Sequence, residues 1–250
     1  MIPLKDNIPS RRFPLVTSLL VAINVLVYLF SIRHGGSLWG GPSTQTAVHY
    51  GAIPYEFTHP GSHCELVPGG IGCGSAVAST QAPTALTALS SMFIHGGLLH
   101  LAGNMLFLWI FGDNVEDSMG RLRFVLFYLL GGLAALALQI VVSPDSAVPT
   151  VGASGAIAGV LGGYIVLHPR ARVLTLVIVI FFAGLLELPA LVMLGIWFLE
   201  QAAFGAAGLA NPLGGGGGVA YFAHVGGFAF GLILVRVFAG RTRRQAPCAA

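Results

Sequence analysis

The chain has 250 residues, of which 55% are hydrophobic and only 8% are charged, and its mean hydropathy is +0.83. Soluble domains carry about 25% charged residues, so this composition excludes an ordinary soluble domain and indicates an integral membrane protein. The formal net charge of +3 forms no basic stripe, because the Lys and Arg residues lie at the ends of apolar segments. We therefore expect no nucleic-acid partner.

Six apolar segments predict an all-α membrane protein, a bundle of six transmembrane helices within residues 15–240. The predicted spans are 15–32, 92–111, 122–142, 153–168, 188–204 and 221–239. A cytoplasmic segment at 1–14 precedes them, a long loop at 33–85 follows the first span, and a cytoplasmic tail at 241–250 follows the last.

The long first loop contains two cysteines, Cys64 and Cys73, nine residues apart. If the loop faces an oxidising compartment, the two residues could form a disulfide. Two free thiols are an equally good interpretation of the same spacing. No Cys/His spacing typical of a zinc site occurs, and we expect neither a metal nor a cofactor.

Charge asymmetry favours six spans over seven. With six, eleven Lys and Arg residues lie on the side of the termini and only Arg33 lies on the other side, as is typical of cytoplasmic loops. The apolar segment 173–186 is short for a crossing, which needs about 20 residues. If it did cross, the fourth and sixth spans would begin on opposite faces. We predict instead an interfacial or re-entrant piece, or a lead-in to the fifth span.

Three spans carry polar residues where a bilayer tolerates few. Ser154 stands between glycines at the start of the fourth span, and His224 lies near the start of the sixth. The second span carries His100 and Asn104. Polar side chains at membrane depth are costly and usually functional. In the six-span topology, Ser154 and His224 begin helices at the same outer face, so they suggest a nucleophile and its base.

Strips of small residues follow the serine and the histidine on their helices. The strips are Gly155-x-x-x-Gly159-x-x-x-Gly163 on the fourth span and Gly227-x-x-x-Gly231 on the sixth. Such strips let membrane helices approach backbone to backbone, which would bring the Ser154 hydroxyl to the His224 ring. Alone, the strips indicate only helix packing. Their coincidence with Ser154 and His224 is what favours catalysis.

A tetrahedral intermediate also needs donors for its oxyanion. The Ser154 N–H lies at a helix N-terminus, where unpaired N–H groups favour negative charge. His100 and Asn104 are four residues apart, so they share a helix face and both can donate; hydrogen bonding between helices is the alternative role. His95 lies on another face and is expected to be structural or interfacial. No acid lies near these helix starts, so a Ser–His dyad is the simpler prediction.

Three motifs in this order resemble those of the rhomboid intramembrane serine proteases. They are HGGLLHLAGN at 95–104, continued by MLFLWIFG; GASG at 152–155; and Ala223-His224 followed by Gly227-x-x-x-Gly231. The resemblance covers about residues 90–235. It implies that Ser154 is the nucleophile and His224 the general base. The oxyanion hole that it implies consists of His100, Asn104 and the Ser154 backbone N–H, with Gly152 shaping the turn.

The resemblance has further implications for substrate and access. The implied substrate is a transmembrane helix with helix-weakening residues near its outer end, and the fifth helix is a candidate lateral gate. The loop 205–220 contains the flexible run Gly214 to Gly218, which we interpret as a movable cap. One departure is that Trp39 is followed by Gly40, whereas some rhomboids have a Trp-Arg pair in this loop. The detailed shape of the first loop is therefore left open.

Two other functions compete with a protease. One is a catalytically inactive rhomboid-like binding protein, against which the presence of both Ser154 and His224 argues. The other is a metal transporter using His95, His100 and His224, but no HExxH and no intramembrane acid accompanies them. We expect a multi-pass protein of a bacterial plasma membrane, with the lipid bilayer and transmembrane protein substrates as partners. The oligomeric state is left open.

Overall fold

A computed structural model of the chain describes residues 1–75, 81–179, 182–210 and 219–240. The described structure is predominantly helical. Its elements are β1 (Ile2–Asp6), α1 (Leu15–Ser31), α2 (Thr44–Tyr50), α3 (Pro54–Thr58), β2 (His63–Val67), β3 (Gly70–Gly74), α4 (Thr84–Ser90), α5 (Leu98–Met119), α6 (Arg121–Val142), α7 (Ser154–Leu167), β4 (Arg172–Val179), β5 (Phe182–Pro189), α8 (Ala190–Ala210) and α9 (Tyr221–Phe238).

Four helices in the described ranges are long and apolar enough to cross a membrane, namely α5, α6, α8 and α9. Helices α1 and α7 are also apolar but shorter, with 17 and 14 residues. Large apolar side chains such as Leu122 and Val237 are about three-quarters exposed, at 75% and 74%, which suits contact with lipid. The predicted count of six spans stays a prediction.

Helices α6, α7 and α9 begin and end within one residue of the predicted spans. The sequence predicts that the second span begins at residue 92, but α5 begins at Leu98, because residues 92–97 form a turn in which His95 folds back toward the Phe93 carbonyl. Helix α8 continues to Ala210, so the predicted loop 205–220 begins as helix. The proposed cap at Gly214 to Gly218 and the tail at 241–250 lie outside the described residues.

The prediction of an all-α protein is wrong at residues 172–189. Strands β4 and β5 form an antiparallel hairpin in which Arg172 lies opposite Pro189, and β1 pairs with the other edge of β4. The segment is too short to span as a helix, and its β-branched residues, such as Val173, Val177 and Ile178, favour strands. Because its ends are paired, the hairpin returns the chain to the level at which α7 ended.

The long first loop is a folded unit rather than an irregular segment. Cys64 and Cys73 lie directly opposite each other in the β2–β3 hairpin and form a disulfide. The Glu56 carboxylate accepts the Cys64 N–H at 2.8 Å, and burial raises the pKa of Glu56. The hairpin packs with α2 around a small apolar core of Val48, Ile53 and Cys64.

This folded loop contacts the segment that leads into α7. The backbones of Ala52 and Thr150 exchange hydrogen bonds of 3.1 and 2.8 Å, and Trp39 O accepts the Leu98 N–H at 3.2 Å. The first loop therefore contacts the chain at the start of α5 and just before the start of α7, where predicted site residues lie.

Helix α7 is the centre of the bundle, and every residue from Gly155 to Ile165 is buried. A Cβ atom on Gly227 would overlap the Gly155 carbonyl oxygen, and one on Gly231 would overlap the Gly159 carbonyl oxygen. Helices α7 and α9 therefore meet backbone to backbone, which only glycine permits at these positions.

The opposite end of α7 is tied to the N-terminus by polar contacts. The Asp6 carboxylate accepts hydrogen bonds from the Tyr164 hydroxyl and from Asn114 Nδ2, and Asn114 also donates to Asp113. Burial raises the pKa of Asp6, although the Tyr164 hydrogen bond opposes this shift. Nearby, Glu116 accepts the Val16 and Thr17 N–H groups at 3.0 and 2.8 Å and so caps α1.

Candidate active site

Ser154 is the first residue of α7, and the preceding turn is shaped by Gly152. Gly152 has a φ of +123°, a conformation that side-chain-bearing residues rarely adopt. A Cβ atom at this position would lie 2.8 Å from two atoms of the His100 ring. The Gly152 N–H donates to the Ser91 carbonyl at 2.8 Å, which fixes the turn against the end of α4.

His95 supports the same turn from below. Its ring is fully buried, and its Nε2 accepts the Ala153 N–H at 3.4 Å. Its Nδ1 lies 3.3 Å from the Phe93 carbonyl and therefore carries the proton. His95 also packs edge-on against His100, with 5.2 Å between ring centroids. The ring thus holds the serine turn, in the position where a structural histidine was expected.

Ser154 and His224 are in direct contact. The Ser154 Oγ lies 2.7 Å from His224 Nε2, and the His224 ring is buried with 9% exposure. The other ring nitrogen, Nδ1, lies 2.7 Å from Gln201 Oε1 on α8. The imidazole is therefore held at both nitrogens between a hydroxyl and a carboxamide.

His100 and Asn104 approach the serine from α5. The His100 ring packs so closely against Gly152 that it leaves no room for a Cβ atom there. Asn104 lies one turn further along the same face of α5. Asn104 is buried, with 8% exposure, and its Nδ2 has no hydrogen-bond partner within the described part of the chain. A buried, unpaired amide donor is costly unless a ligand uses it.

These side chains line one cavity of about 560 Å³. The predicted site residues among its lining are Ser154, His224, His100, Asn104, Gly152 and Gly155. Gly159, Gly227 and Gly231 lie deeper, at the contact between α7 and α9. Apolar side chains such as Phe107 and Trp197 complete the wall. The cavity combines a few convergent polar groups with an apolar wall, as small-molecule and peptide sites usually do.

Sequence reasoning missed Gln201, and a signal for it was present. Gln201 is a polar residue inside an apolar span, four residues after Trp197 and so on the same face. Polar residues in such spans are expected to face the bundle interior. The partner of His224 Nδ1 is thus an amide, whereas the sequence-based prediction considers only acids for this role. Within the described ranges, no three His, Cys, Asp or Glu side chains group closely enough to hold a metal ion.

Comparison with known families identifies the fold. A family model described as "Rhomboid domain" matches residues 83–241. The chain belongs to the rhomboid family. The match includes α5 to α9 and therefore every helix that lines the cavity.

Several rhomboid proteins are similar to this chain. It is 32% identical to the Rhomboid protease GluP of Bacillus subtilis over 159 residues, which cover 63% of this chain and 26% of that protein. It is 32% identical to the mitochondrial Rhomboid protein 1 of Saccharomyces cerevisiae over 154 residues, 59% of this chain and 40% of that one. It is 32% identical to the chloroplastic Rhomboid-like protein 11 of Arabidopsis thaliana over 150 residues, 59% of this chain and 50% of that one.

The chain therefore spans about a quarter to a half of the length of these relatives. Their names place rhomboids in mitochondria and chloroplasts as well as in bacteria. Family membership and the apolar helices make this a multi-pass membrane protein. The bacterial plasma membrane stays a prediction.

Proposed function

We propose that this rhomboid is an intramembrane serine endopeptidase that cleaves transmembrane segments of other proteins with a Ser154–His224 dyad. The observation that carries the proposal is the 2.7 Å contact between Ser154 Oγ and His224 Nε2. This is the distance at which a serine nucleophile and its general base share a proton. The family match supports the same reaction, because serine proteolysis is the usual rhomboid activity.

In the proposed acylation step, Ser154 Oγ attacks the carbonyl carbon of the scissile peptide bond while His224 Nε2 takes the hydroxyl proton. The tetrahedral intermediate then collapses, the C–N bond breaks, and the protonated His224 gives its proton to the leaving amine. A water molecule then attacks the carbonyl carbon of the acyl-enzyme while His224 Nε2 takes its proton. The bond between this carbon and Ser154 Oγ breaks, His224 returns the proton to Ser154 Oγ, and the carboxyl product leaves.

Three donors are proposed for the oxyanion. The Ser154 N–H lies in the first turn of α7, where no acceptor within the helix is available to it. Asn104 Nδ2 is buried without a partner in the described chain, so it is free to donate without first breaking another bond. His100 contributes the third, from the ring edge that faces Gly152. Donors fixed in advance are the largest single source of rate acceleration in acyl transfer.

A transmembrane segment is the substrate class that fits a site of this kind. The cavity lies among apolar helices, and a helical substrate would need to unwind locally to offer an extended peptide bond, which helix-weakening residues make easier. Helix α8 is proposed as the lateral gate, since it lines the cavity through Trp197 and Gln201. The proposal needs neither metal nor cofactor.

The proposed topology has six spans, both termini in the cytoplasm and the cavity open to the outer face of a bacterial plasma membrane. The first-loop disulfide supports this orientation, because disulfides persist in oxidising compartments. The test uses single cysteines in a Cys-free background and an impermeant reagent. A cysteine at position 60 should react only from outside, and a cysteine at position 118 should react only from inside.

The direct test is cleavage of a single-pass membrane substrate by the purified protein in liposomes. Ser154→Ala should reduce cleavage to below about 1% of wild type, because no nucleophile remains. Ser118→Ala is the matched control, since this serine lies at the far end of α5, where its hydroxyl contacts the Asn114 carbonyl and His168 Nε2 rather than the cavity. Activity in Ser154→Ala would refute the proposal. An inactive wild type would favour the binding protein, and chelator-sensitive metal uptake would favour the transporter.

A further inference from the structure

The contact between His224 Nδ1 and Gln201 Oε1 lies on the side of the ring that faces away from Ser154. We propose that Gln201 is a positioning residue that fixes the tautomer and the orientation of the His224 ring. Its catalytic consequence depends on the proposed function, but its effect on the ring does not.

The direction of the hydrogen bond determines which nitrogen is basic. A carboxamide oxygen can only accept, so the 2.7 Å contact with Gln201 Oε1 requires the proton of the neutral ring to be on Nδ1. The lone pair is then on Nε2, where it can accept the Ser154 hydroxyl at 2.7 Å. The opposite tautomer would present an N–H to the serine and could not act as a base.

The position of Gln201 is fixed by aromatic contacts between α8 and its neighbours. Trp197, one turn earlier on the same face, lies 5.8 Å from the His224 ring, and Phe198 stacks on Phe228 of α9 at 4.5 Å. These contacts hold the carboxamide opposite Nδ1. They also make the bond dependent on how α8 is seated, because an outward shift of about 1 Å would lengthen it beyond hydrogen-bonding distance.

A neutral amide suits this place better than a carboxylate. The His224 ring is buried, and a charged partner would add a large desolvation cost. The titratable groups near the ring are His100 from α5 and Tyr221, whose ring centroid lies 6.5 Å away on α9 itself. Helix α7 presents Ser154 to the ring, while α6 meets α9 at Gly226 through Ala134, Ala135 and Leu138. Gln201 is the acceptor for Nδ1 among the described residues.

The test combines kinetics with imidazole nitrogen spectra. Gln201→Met keeps the length of the side chain but removes the acceptor. We expect kcat to fall about tenfold to a hundredfold at unchanged KM. This loss is larger than that expected from one neutral hydrogen bond and smaller than that expected if every ring adopted the wrong tautomer. Glu200→Met is the matched control, since its side chain is adjacent but exposed, and it should retain wild-type kcat.

Gln201→Glu restores an acceptor and adds a charge. Its activity should exceed that of Gln201→Met, and the acid side of its kcat–pH profile should move to higher pH, because the carboxylate favours the protonated base. A side chain that merely filled space would leave this profile in place.

Nitrogen-15 spectra of histidine-labelled protein test the inference without turnover, with the His224 signals assigned by their loss in His224→Asn. Wild-type protein should show a protonated Nδ1 and an unprotonated Nε2, and Gln201→Met should show both tautomers. An unprotonated Nδ1 in the wild type, or unchanged spectra and kcat in Gln201→Met, would overturn the inference. Full activity in Ser154→Ala would instead overturn the proposed function.

Discussion

The two ends of helix α7 both concentrate polar side chains, but they satisfy them in different ways. At the serine end, which we define as Ser154, His224 and Asn104, the groups line a cavity, and Asn104 Nδ2 has no partner among the described residues. At the acidic end, defined as Asp6, Tyr164 and Asn114, each group is hydrogen-bonded to another of the three.

This difference distinguishes polar side chains that stabilise an apolar bundle from polar side chains that can bind a ligand. A polar group that is fully paired stabilises the fold and has nothing left to offer a ligand. A donor that is buried and unpaired beside a cavity lowers stability until something binds, so it persists where binding or catalysis needs it. Matched substitutions at the two ends should therefore have different effects.

The largest expected effect concerns the two histidines that stand at opposite ends of the bundle. His224→Asn should lower kcat at least about 10⁴-fold, because Ser154 loses its base. His168→Asn, beside the acidic end, removes a 3.4 Å contact with Ser118 and a 5.1 Å ring contact with Tyr164, both remote from the cavity, and should retain near wild-type activity. Steady-state cleavage in detergent measures both. Equal losses in the two variants would contradict the assignment of His224.

Two glycines with positive φ allow strain to be distinguished from collision. Gly152→Ala places a methyl 2.8 Å from the His100 ring and should lower kcat about 10²–10³-fold by displacing the serine turn. Gly120 has a φ of +80°, and a Cβ atom added there would meet nothing within 4 Å. Gly120→Ala should therefore lower the stability of the protein with little loss of activity. Similar kinetics in both variants would mean that backbone strain alone is responsible.

The two asparagines of α5 should have opposite effects when they are substituted: Asn104 should affect activity, and Asn114 should affect stability. Asn104→Ala removes an unpaired donor, so kcat should fall about 10²-fold while the melting temperature stays constant or rises. Asn114→Ala breaks hydrogen bonds to Asp6 and Asp113 and should cost about 1.5–3 kcal/mol with kcat retained, because bonds to charged groups are the stronger ones. If Asn104→Ala destabilised the protein and left kcat unchanged, its proposed role would be wrong.

The smallest effect is a pH dependence at the acidic end. Burial raises the pKa of Asp6 above its usual 3.8, so folding favours the protonated carboxyl. The stability that this contributes is present below the unfolded pKa and is lost as the pH rises through the folded pKa. Asp6→Asn keeps an oxygen for Tyr164 and should reduce this decline, a change of at most about 2–4 °C in melting temperature. A melting curve series for both proteins from acid to neutral pH measures it.

The helices that carry the site could be predicted because their patterns are local. The apolar segments place α6, α7 and α9 to within one residue, and glycine spacing predicts a close approach of α7 to α9. The start of α5 was missed because the turn at His95 is held by contacts with the first loop and the serine turn, which no local pattern contains.

Elements held by distant partners escaped prediction for the same reason. The hairpin at 172–189 is completed by β1, which lies about 170 residues earlier in the chain. The folded first loop contains a disulfide, for which the sequence left free thiols as an equal alternative. The position of Gln201 in an apolar span predicts that it faces the bundle interior, but its partner His224 is not predicted, because the two residues meet only when α8 is seated on α9.

The central claim is that Ser154 is a nucleophile activated by His224, and mapping a fluorophosphonate adduct tests it most directly. The purified protein in detergent is treated with the probe, digested and analysed by mass spectrometry. The account predicts an adduct on the peptide that contains Ser154, lost in His224→Asn and retained in Asp6→Asn. An adduct on a different serine, or equal labelling of Ser154 in His224→Asn, would contradict it.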